Sequence, residues 1–312
     1  MCYSAIVWAA FEKYAREFGA DIHISDFERI YYPEEREERI KRRKTTRAMD
    51  LAAAALSPSI REFIQQEDLE TIAELEQEMF KQAKRVADGE RALQSKVTKK
   101  AQEDVRIGTN KVSNAKRQIA DLKRTVMEPK DSQIFPNSYA PVLIVENGRR
   151  VVKPMRYHCR PYWMPASSDI TKEGTTSGKY NARRDKLDLF WKPLFAQQHG
   201  IMVATRFYEN VDLPNGRSQR LEFEPRTGEP MLIACLWSQW TDPQGIEPDL
   251  YSFAAITDEP EPEVAAAGHD RTIINIRPEH VDAWLNPRGD AAAMQAILDD
   301  KQHPYYEHRK AA

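Results

Sequence analysis

Val142-Leu143-Ile144-Val145, then Asn147-Gly148, then Val151-Val152-Lys153-Pro154-Met155, decide the fold class of this chain. Two β-branched, apolar runs separated by Asn-Gly predict a β-hairpin closed by a tight turn, because both central residues of that turn need positive φ. Downstream, Arg160-Pro161-Tyr162-Trp163-Met164-Pro165 reads as a loop rich in aromatics and proline, and Ser168 to Lys179 as a mobile polar loop. Asp188 to Gln198 predicts a short helix. Ile201-Met202-Val203-Ala204 predicts a strand running into Arg206-Phe207-Tyr208-Glu209, with buried strands to follow at Met231 to Trp237 and Tyr251 to Thr257. An acidic, proline-rich loop from Asp258 to Gly268 leads into Asp270 to Ile274, and the tail from Pro278 to Asp300 carries one or two helices. Upstream, Cys2 to Trp8 reads as a short strand, followed by an amphipathic helix over Ala9 to Phe18 that Gly19 closes. Many strands with helices at the margins predict an α+β fold around a barrel-like or strongly bent, mainly antiparallel sheet.

The texture changes between Pro33 and Lys130. Glu, Lys, Arg, Gln and Ala dominate, with no Trp. Glu34 to Leu56 and Ile60 to Ala87 read as helices, the second started by Ser57-Pro58-Ser59 and broken by Asp88-Gly89. Leu93, Val97, Ala101, Val105, Val112, Ile119, Leu122 and Val126 trace a further long, loosely heptad-like helix, with Gly108-Thr109-Asn110 as a point of interruption. Residues 33–130 are therefore expected to be an inserted α-helical hairpin or coiled coil, and 1–32 with 131–312 a discontinuous catalytic domain. The charges of the insert read first as solvated faces. A partner protein or nucleic acid contacting Arg36 to Lys44 or Lys99-Lys100 is the second reading.

Composition sets bounds. The 312 residues are 41% hydrophobic and 30% charged, with a net charge of −2, so overall charge gives no support for nucleic-acid binding and any such site needs a local basic cleft. No window reaches the apolar length of a membrane span, and the N-terminus lacks a basic region followed by an apolar one. Cys2, Cys159 and Cys235 are too few and scattered for a disulfide framework, which makes the cytoplasm the expected location. His158-Cys159 with Cys2 or Cys235 lacks paired ligand spacing, so no metal is expected. No glycine-rich phosphate loop or Gly-x-Ser-x-Gly elbow is present, and no cofactor is expected.

Four residues stand out chemically. If Met1 is removed, Cys2 carries an α-amine (pKa about 8) beside a thiol (about 8.5), both partly nucleophilic near neutrality. The amine can form a Schiff base with an aldehyde and the thiol can close a thiazolidine. Asn181, in Lys179-Tyr180-Asn181-Ala182-Arg183-Arg184, is either a turn residue or a site residue. Glu209 is either an exposed strand-end charge or a partly buried acid fit for proton transfer. His269, beside Asp270, is either a surface histidine or a general acid–base oriented by that carboxylate.

In order, Met1-Cys2, Ala140-Pro141, Asn181-Ala182-Arg183, Phe207-Tyr208-Glu209 and His269-Asp270-Arg271 resemble the motifs of the SOS response-associated peptidase (SRAP) family, as does Phe190-Trp191-Lys192-Pro193-Leu194. The resemblance spans residues 1 to about 30 and 132 to about 300. It implies recognition of abasic sites in single-stranded DNA and their capture as a covalent thiazolidine crosslink. Cys2 would be the nucleophile, Glu209 a proton shuttle, His269 an acid that assists sugar opening or phosphate departure, and Asn181 a hydrogen-bonding anchor. Arg183 and Arg271 would contact phosphates, and Tyr162 and Trp163 would stack on a base. AP lyase or autoproteolytic activity would be compatible with the same residues.

Four positions depart from the family's pattern. Tyr3-Ser4 stands where Gly-Arg is usual, Asn210 replaces a Trp, His269-Asp270-Arg271 runs into Thr272-Ile273, and the Asn usually found shortly before Ala-Pro is displaced to Asn137. Two other readings remain open: an N-terminal-cysteine peptidase or amidohydrolase that needs no aldehyde, and a non-catalytic protein acting through a partner of the 33–130 insert.

Overall fold

A computed structural model describes residues 4–32, 44–213 and 216–311. The chain divides into two compact units, Ala54–Glu128 and a discontinuous one built from Met1–Ala53 and Pro129–Ala312.

The discontinuous unit holds a twelve-stranded mixed sheet. Its strands are β1 (Ser4–Val7), β2 (Asp21–Ile22), β3 (Gln133–Ile134), β4 (Tyr139–Glu146), β5 (Arg149–Tyr157), β6 (Asn181–Arg183), β7 (His199–Asp212), β8 (Ser218–Pro225), β9 (Met231–Trp240), β10 (Leu250–Asp258), β11 (Thr272–Ile273) and β12 (Tyr306–Lys310). The hairpin expected around Asn147-Gly148 is β4–β5. Glu146 pairs with Arg149, and the two residues between them, Asn147 and Gly148, sit at φ 52° and 75°. Both values lie in the left-handed region, where Gly and Asn cost least.

The sheet closes on itself. β10 pairs with β5, β5 with β4, β4 with β7, β7 with β9, and β9 again with β10. Nine of its strand pairings are antiparallel, and only β10 with β5, β10 with β6, and β2 with β5 are parallel. β7 makes closure possible because it is long enough to serve two sets of neighbours. Its first half, His199 to Ala204, pairs with β9, while its second half is flanked by β1 and β8. Alternation along β7 sends Phe207, Glu209 and Val211 inward, and Phe207 and Val211 join Ala5, Tyr157, Phe223, Phe253 and Ile273 in one buried cluster.

Helices α1 (Phe11–Phe18) and α2 (Ile24–Tyr31) lie at the margin. Phe11, Tyr14, Phe27 and Tyr31 are buried, Gly19 ends α1 at φ 59°, and the Tyr31 hydroxyl donates to Asp50 at 2.9 Å. Of the helix expected from Glu34 to Leu56, the start lies outside the described residues and α3 runs Arg47–Leu56.

The second unit is a hairpin of α4 (Pro58–Ser95) and α5 (Lys99–Lys123). Ser57 caps α4 by accepting from the Ile60 amide, and Thr98 caps α5 by accepting from the Ala101 amide. The break expected at Asp88-Gly89 does not occur: α4 runs through it and ends at Ser95. Nor does Gly108-Thr109-Asn110 interrupt α5. A Cβ on Gly89 would lie 2.9 Å from Val105 Cγ2, and one on Gly108 would lie 2.6 Å from Val86 Cγ2. Both glycines are contact points where the helices approach too closely for a side chain, so their helix-weakening tendency is offset by packing.

The helix expected over Asp188 to Gln198 is instead a series of turns. Pro193 supplies no N–H and Ala196 adopts φ 62°, a left-handed step that no helix accommodates. The remaining helices, α6 (Pro262–Ala266), α7 (Val281–Leu285) and α8 (Ala291–Asp299), border the sheet. Two strands, β8 and β12, carry mixed polar sequences that did not read as strands. They pair with each other from Leu221–Lys310 to Pro225–Tyr306 at the sheet's outer side.

Candidate functional site

Glu209 is 1% exposed, on the inward face of β7, and its Oε2 lies 3.2 Å from His269 Nε2. The histidine arrives by a tight turn. α6 ends at Ala266, Gly268 takes φ 95°, and the His269 amide donates to the Val264 carbonyl at 3.2 Å. The turn asks for glycine through its φ of 95°, since a Cβ on Gly268 would meet Val211 Cβ at 3.8 Å, an ordinary contact one strand alternation from Glu209.

The backbone of Arg271 holds the other edge of the ring. His269 Nδ1 is 2.9 Å from the Arg271 carbonyl oxygen and 3.3 Å from its amide. Asp270, expected to orient the ring, has its carboxylate 3.9 Å away and 77% exposed. Burial lowers the His269 pKa, partly opposed by the contact to the Arg271 carbonyl. Near neutrality the imidazole is therefore neutral. Its Nε2 faces the Glu209 carboxylate at 3.2 Å, and its Nδ1 faces the Arg271 carbonyl at 2.9 Å and amide at 3.3 Å, the closer contact favouring a proton on Nδ1. A protonated ring would donate from both nitrogens, to Glu209 and to the Arg271 carbonyl.

Asn181 lies in β6, opposite Ala255 of β10, and is buried. Its Oδ1 accepts from the Tyr157 hydroxyl at 3.4 Å, whereas Nδ2 is buried with no hydrogen-bond partner among the described residues. An orphaned buried donor is costly, about 1–3 kcal/mol, unless something fills the place. β10 connects Asn181 to the histidine loop: Thr257 pairs with Arg183 on one side and with Ile273 on the other.

Among the contacts of the described residues, no side chain of the other sequence candidates touches the Glu209–His269 pair. Arg183 is half-buried and makes a two-pronged ion pair with Asp185, both contacts at 2.9 Å. The Arg271 side chain is largely covered, its Nε 3.7 Å from Asp270. Tyr162 and Trp163 are exposed and meet edge to face at 4.9 Å. Sequence reading missed Phe190 as part of the same surface. It is exposed, 6.0 Å from Trp163 and 5.0 Å from Trp191, because the segment that carries it turns rather than coils into a helix. Cys2 lies outside the described residues. The first residue described, Ser4, pairs with Tyr208, the neighbour of Glu209.

A buried polar cluster also escaped the sequence reading. Asp169 takes Arg160 at 2.7 Å, Arg156 at 2.8 Å and Lys179 at 4.0 Å. Beside it, fully buried His158 spans Asn137 at 3.1 Å and Ser177 at 2.9 Å. Burial, reinforced by the Arg156 guanidinium, lowers the His158 pKa to about 4. These contacts tie down the Ser168–Lys179 loop read as mobile. The only signal in the sequence was the density of cations flanking the Tyr162-Trp163 loop.

A closed α+β sheet carries a buried carboxylate–imidazole contact on its longest strand. The chain belongs to the SOS response associated peptidase (SRAP) family, whose model matches residues 94–310. Membership supports a function associated with DNA damage. Among solved structures, the chain is similar to a protein from Bordetella bronchiseptica (18% identity, TM-score 0.47, covering 58% of this chain and 87% of that one). It is also similar to one from Bacteroides thetaiotaomicron (14%, 0.47, 62% and 82%) and to a phage-related protein from Bordetella bronchiseptica (19%, 0.44, 60% and 84%). No curated protein matches. Among the described residues no helix is long and apolar enough to cross a membrane, and no group of three or more His, Cys, Asp or Glu could hold a metal ion.

Proposed function

We propose that this protein captures abasic sites in single-stranded DNA as a covalent thiazolidine through Cys2, once Met1 is removed. The observation that carries this reading is the buried Glu209–His269 contact at 3.2 Å, on a strand whose residue Tyr208 pairs with Ser4, two residues from Cys2. Covalent geometry keeps the Cys2 Cα within about 7 Å of the Ser4 Cα. In the reaction, the Cys2 amine attacks the ring-opened sugar aldehyde and a C–N bond forms. The carbinolamine hydroxyl leaves as water after accepting a proton, which Glu209 and His269 would relay. The thiol then adds across the C=N bond: sulfur bonds to carbon and the thiol proton ends on nitrogen.

Each remaining candidate has a place in this scheme. Asn181 Nδ2, buried and without a partner, would hydrogen-bond to the opened sugar or to the chain's N-terminus. Arg183 and Arg271 would neutralise phosphates. Tyr162, Trp163 and Phe190 would offer stacking faces to neighbouring bases, each contributing about 1–3 kcal/mol. The test is a denaturing gel with abasic single-stranded DNA. Wild type should give a retarded, denaturation-resistant band, Cys2→Ala none, and Glu209→Gln one that forms about a hundredfold more slowly. An adduct that persists in Cys2→Ala would overturn the reading.

A further inference from the structure

Arg220 lies on β8 opposite Asn210, the residue that follows Glu209. Its Nη2 donates to the Ser4 hydroxyl at 3.0 Å, and its guanidinium lies over the ring of Tyr208 at 4.2 Å and near that of Phe135 at 5.6 Å. These contacts fix the side chain beside the start of β1. They do not neutralise it. Among the described residues no carboxylate lies within ion-pair distance of Arg220, and its buried Nε makes no hydrogen bond. Glu222, which shares this face, is already engaged by the Tyr208 hydroxyl at 3.0 Å, Arg206 at 3.3 Å and Arg309 at 2.5 Å.

A half-buried guanidinium held by a hydroxyl and two aromatic rings, with donors unused and no counter-charge, is an anion site in search of an anion. Pairing puts Ser4, Tyr208, Asn210 and Arg220 on one face of the ladder and Glu209 on the other. The anion Arg220 would take therefore lies off the Glu209 face, at the Ser4 end of β1 that leads to Cys2. We propose that Arg220 binds a backbone phosphate of the strand that flanks the abasic site; this rests on the function proposed above. It gives the site a cation next to position 4, where the sequence itself supplies only a serine.

Fluorescence anisotropy with a labelled, undamaged single-stranded oligonucleotide tests this over a salt series, independently of crosslinking. Arg220→Gln should weaken binding by about tenfold and reduce the slope of log affinity against log salt by about 0.7, one phosphate's worth for a single strand. Arg220→Lys should restore the slope and part of the affinity. Unchanged affinity and slope in Arg220→Gln would overturn the inference while leaving the crosslinking reading intact. So would a loss of affinity that Arg220→Lys fails to rescue. Wild-type protein that neither binds the oligonucleotide nor forms adduct would overturn both.

Discussion

Gly108→Ala sets two well-measured tendencies against each other, and the structure decides between them. Alanine is favoured over glycine in a helix interior by about 1 kcal/mol. An added Cβ at position 108, however, would lie 2.6 Å from Val86 Cγ2 and 3.2 Å from the Gln82 carbonyl oxygen. Carbon atoms in contact prefer about 3.5–4.0 Å, so the valine methyl must retreat by roughly 1 Å. Valine in a helix has essentially one χ1 rotamer and cannot swing away. The two helices must part, and overpacking of this kind costs about 1–3 kcal/mol. The net expectation is a loss of about 1 kcal/mol. Gly89→Ala, at 2.9 Å from Val105 Cγ2, should come out closer to neutral. Thermal unfolding of the full-length protein, followed by far-ultraviolet circular dichroism, reads the difference. A Gly108→Ala variant that melts higher than wild type would show that the glycines are ordinary weak points in the helices, and the close-approach account would fail.

Acid should destabilise the fold before its carboxylates titrate. Burial lowers the pKa of His158 to about 4, that of His199 to about 3, and that of His269 to below its ordinary value. His199 has a clear reason: Nε2 accepts the Ala196 amide at 2.9 Å and Nδ1 donates to the Trp284 carbonyl at 3.0 Å, so a second proton would break the first bond. Each folded-state value lies below the unfolded value of about 6.5, so between the two the unfolded chain binds more protons. The stabilisation is complete above about pH 6.5 and is lost as pH falls through that value, with His158 alone forfeiting about 3 kcal/mol by pH 4. Denaturant midpoints that stay flat between pH 6.5 and 5 would contradict this. Asn181→Ala removes an acceptor from Tyr157 together with an unpartnered donor, so its stability should shift by no more than about 1 kcal/mol. Its adduct formation should slow by at least tenfold on the proposed reading, and equal rates in the two proteins would remove Asn181 from the site.

Local chemistry made part of this molecule legible from its sequence. Asn147-Gly148 between two β-branched runs fixed a hairpin because the turn's φ values exclude most other residues. The strand through Ile201 to Glu209 was legible because its apolar, β-branched run is continuous, although it extends beyond Glu209 to Asp212. What stayed hidden was set by distant partners. Gly89 and Gly108 look like helix breakers until the opposing helix supplies Val105 and Val86. Phe190 looks like one face of a helix until Pro193 and Ala196 turn the chain. β8 alternates Leu221 and Phe223 with Glu222 and Glu224, a pattern too short to stand out, and β12, rich in charge, has no strand pattern of its own and forms by completing the β8 ladder. In the candidate site, the types of Glu209 and His269 were readable. Their contact depends on where Gly268 turns the chain and was not. Arg220 carried no sequence signal, since its significance lies in which carboxylates fail to reach it.

Intact-mass measurement of the purified protein, before and after incubation with abasic single-stranded DNA, tests the central claim most directly. Before incubation the mass should correspond to a chain that begins at Cys2. Afterwards it should rise by the mass of the oligonucleotide less one water, as imine formation followed by thiol addition requires. A chain that keeps Met1 and gains no mass would contradict the account.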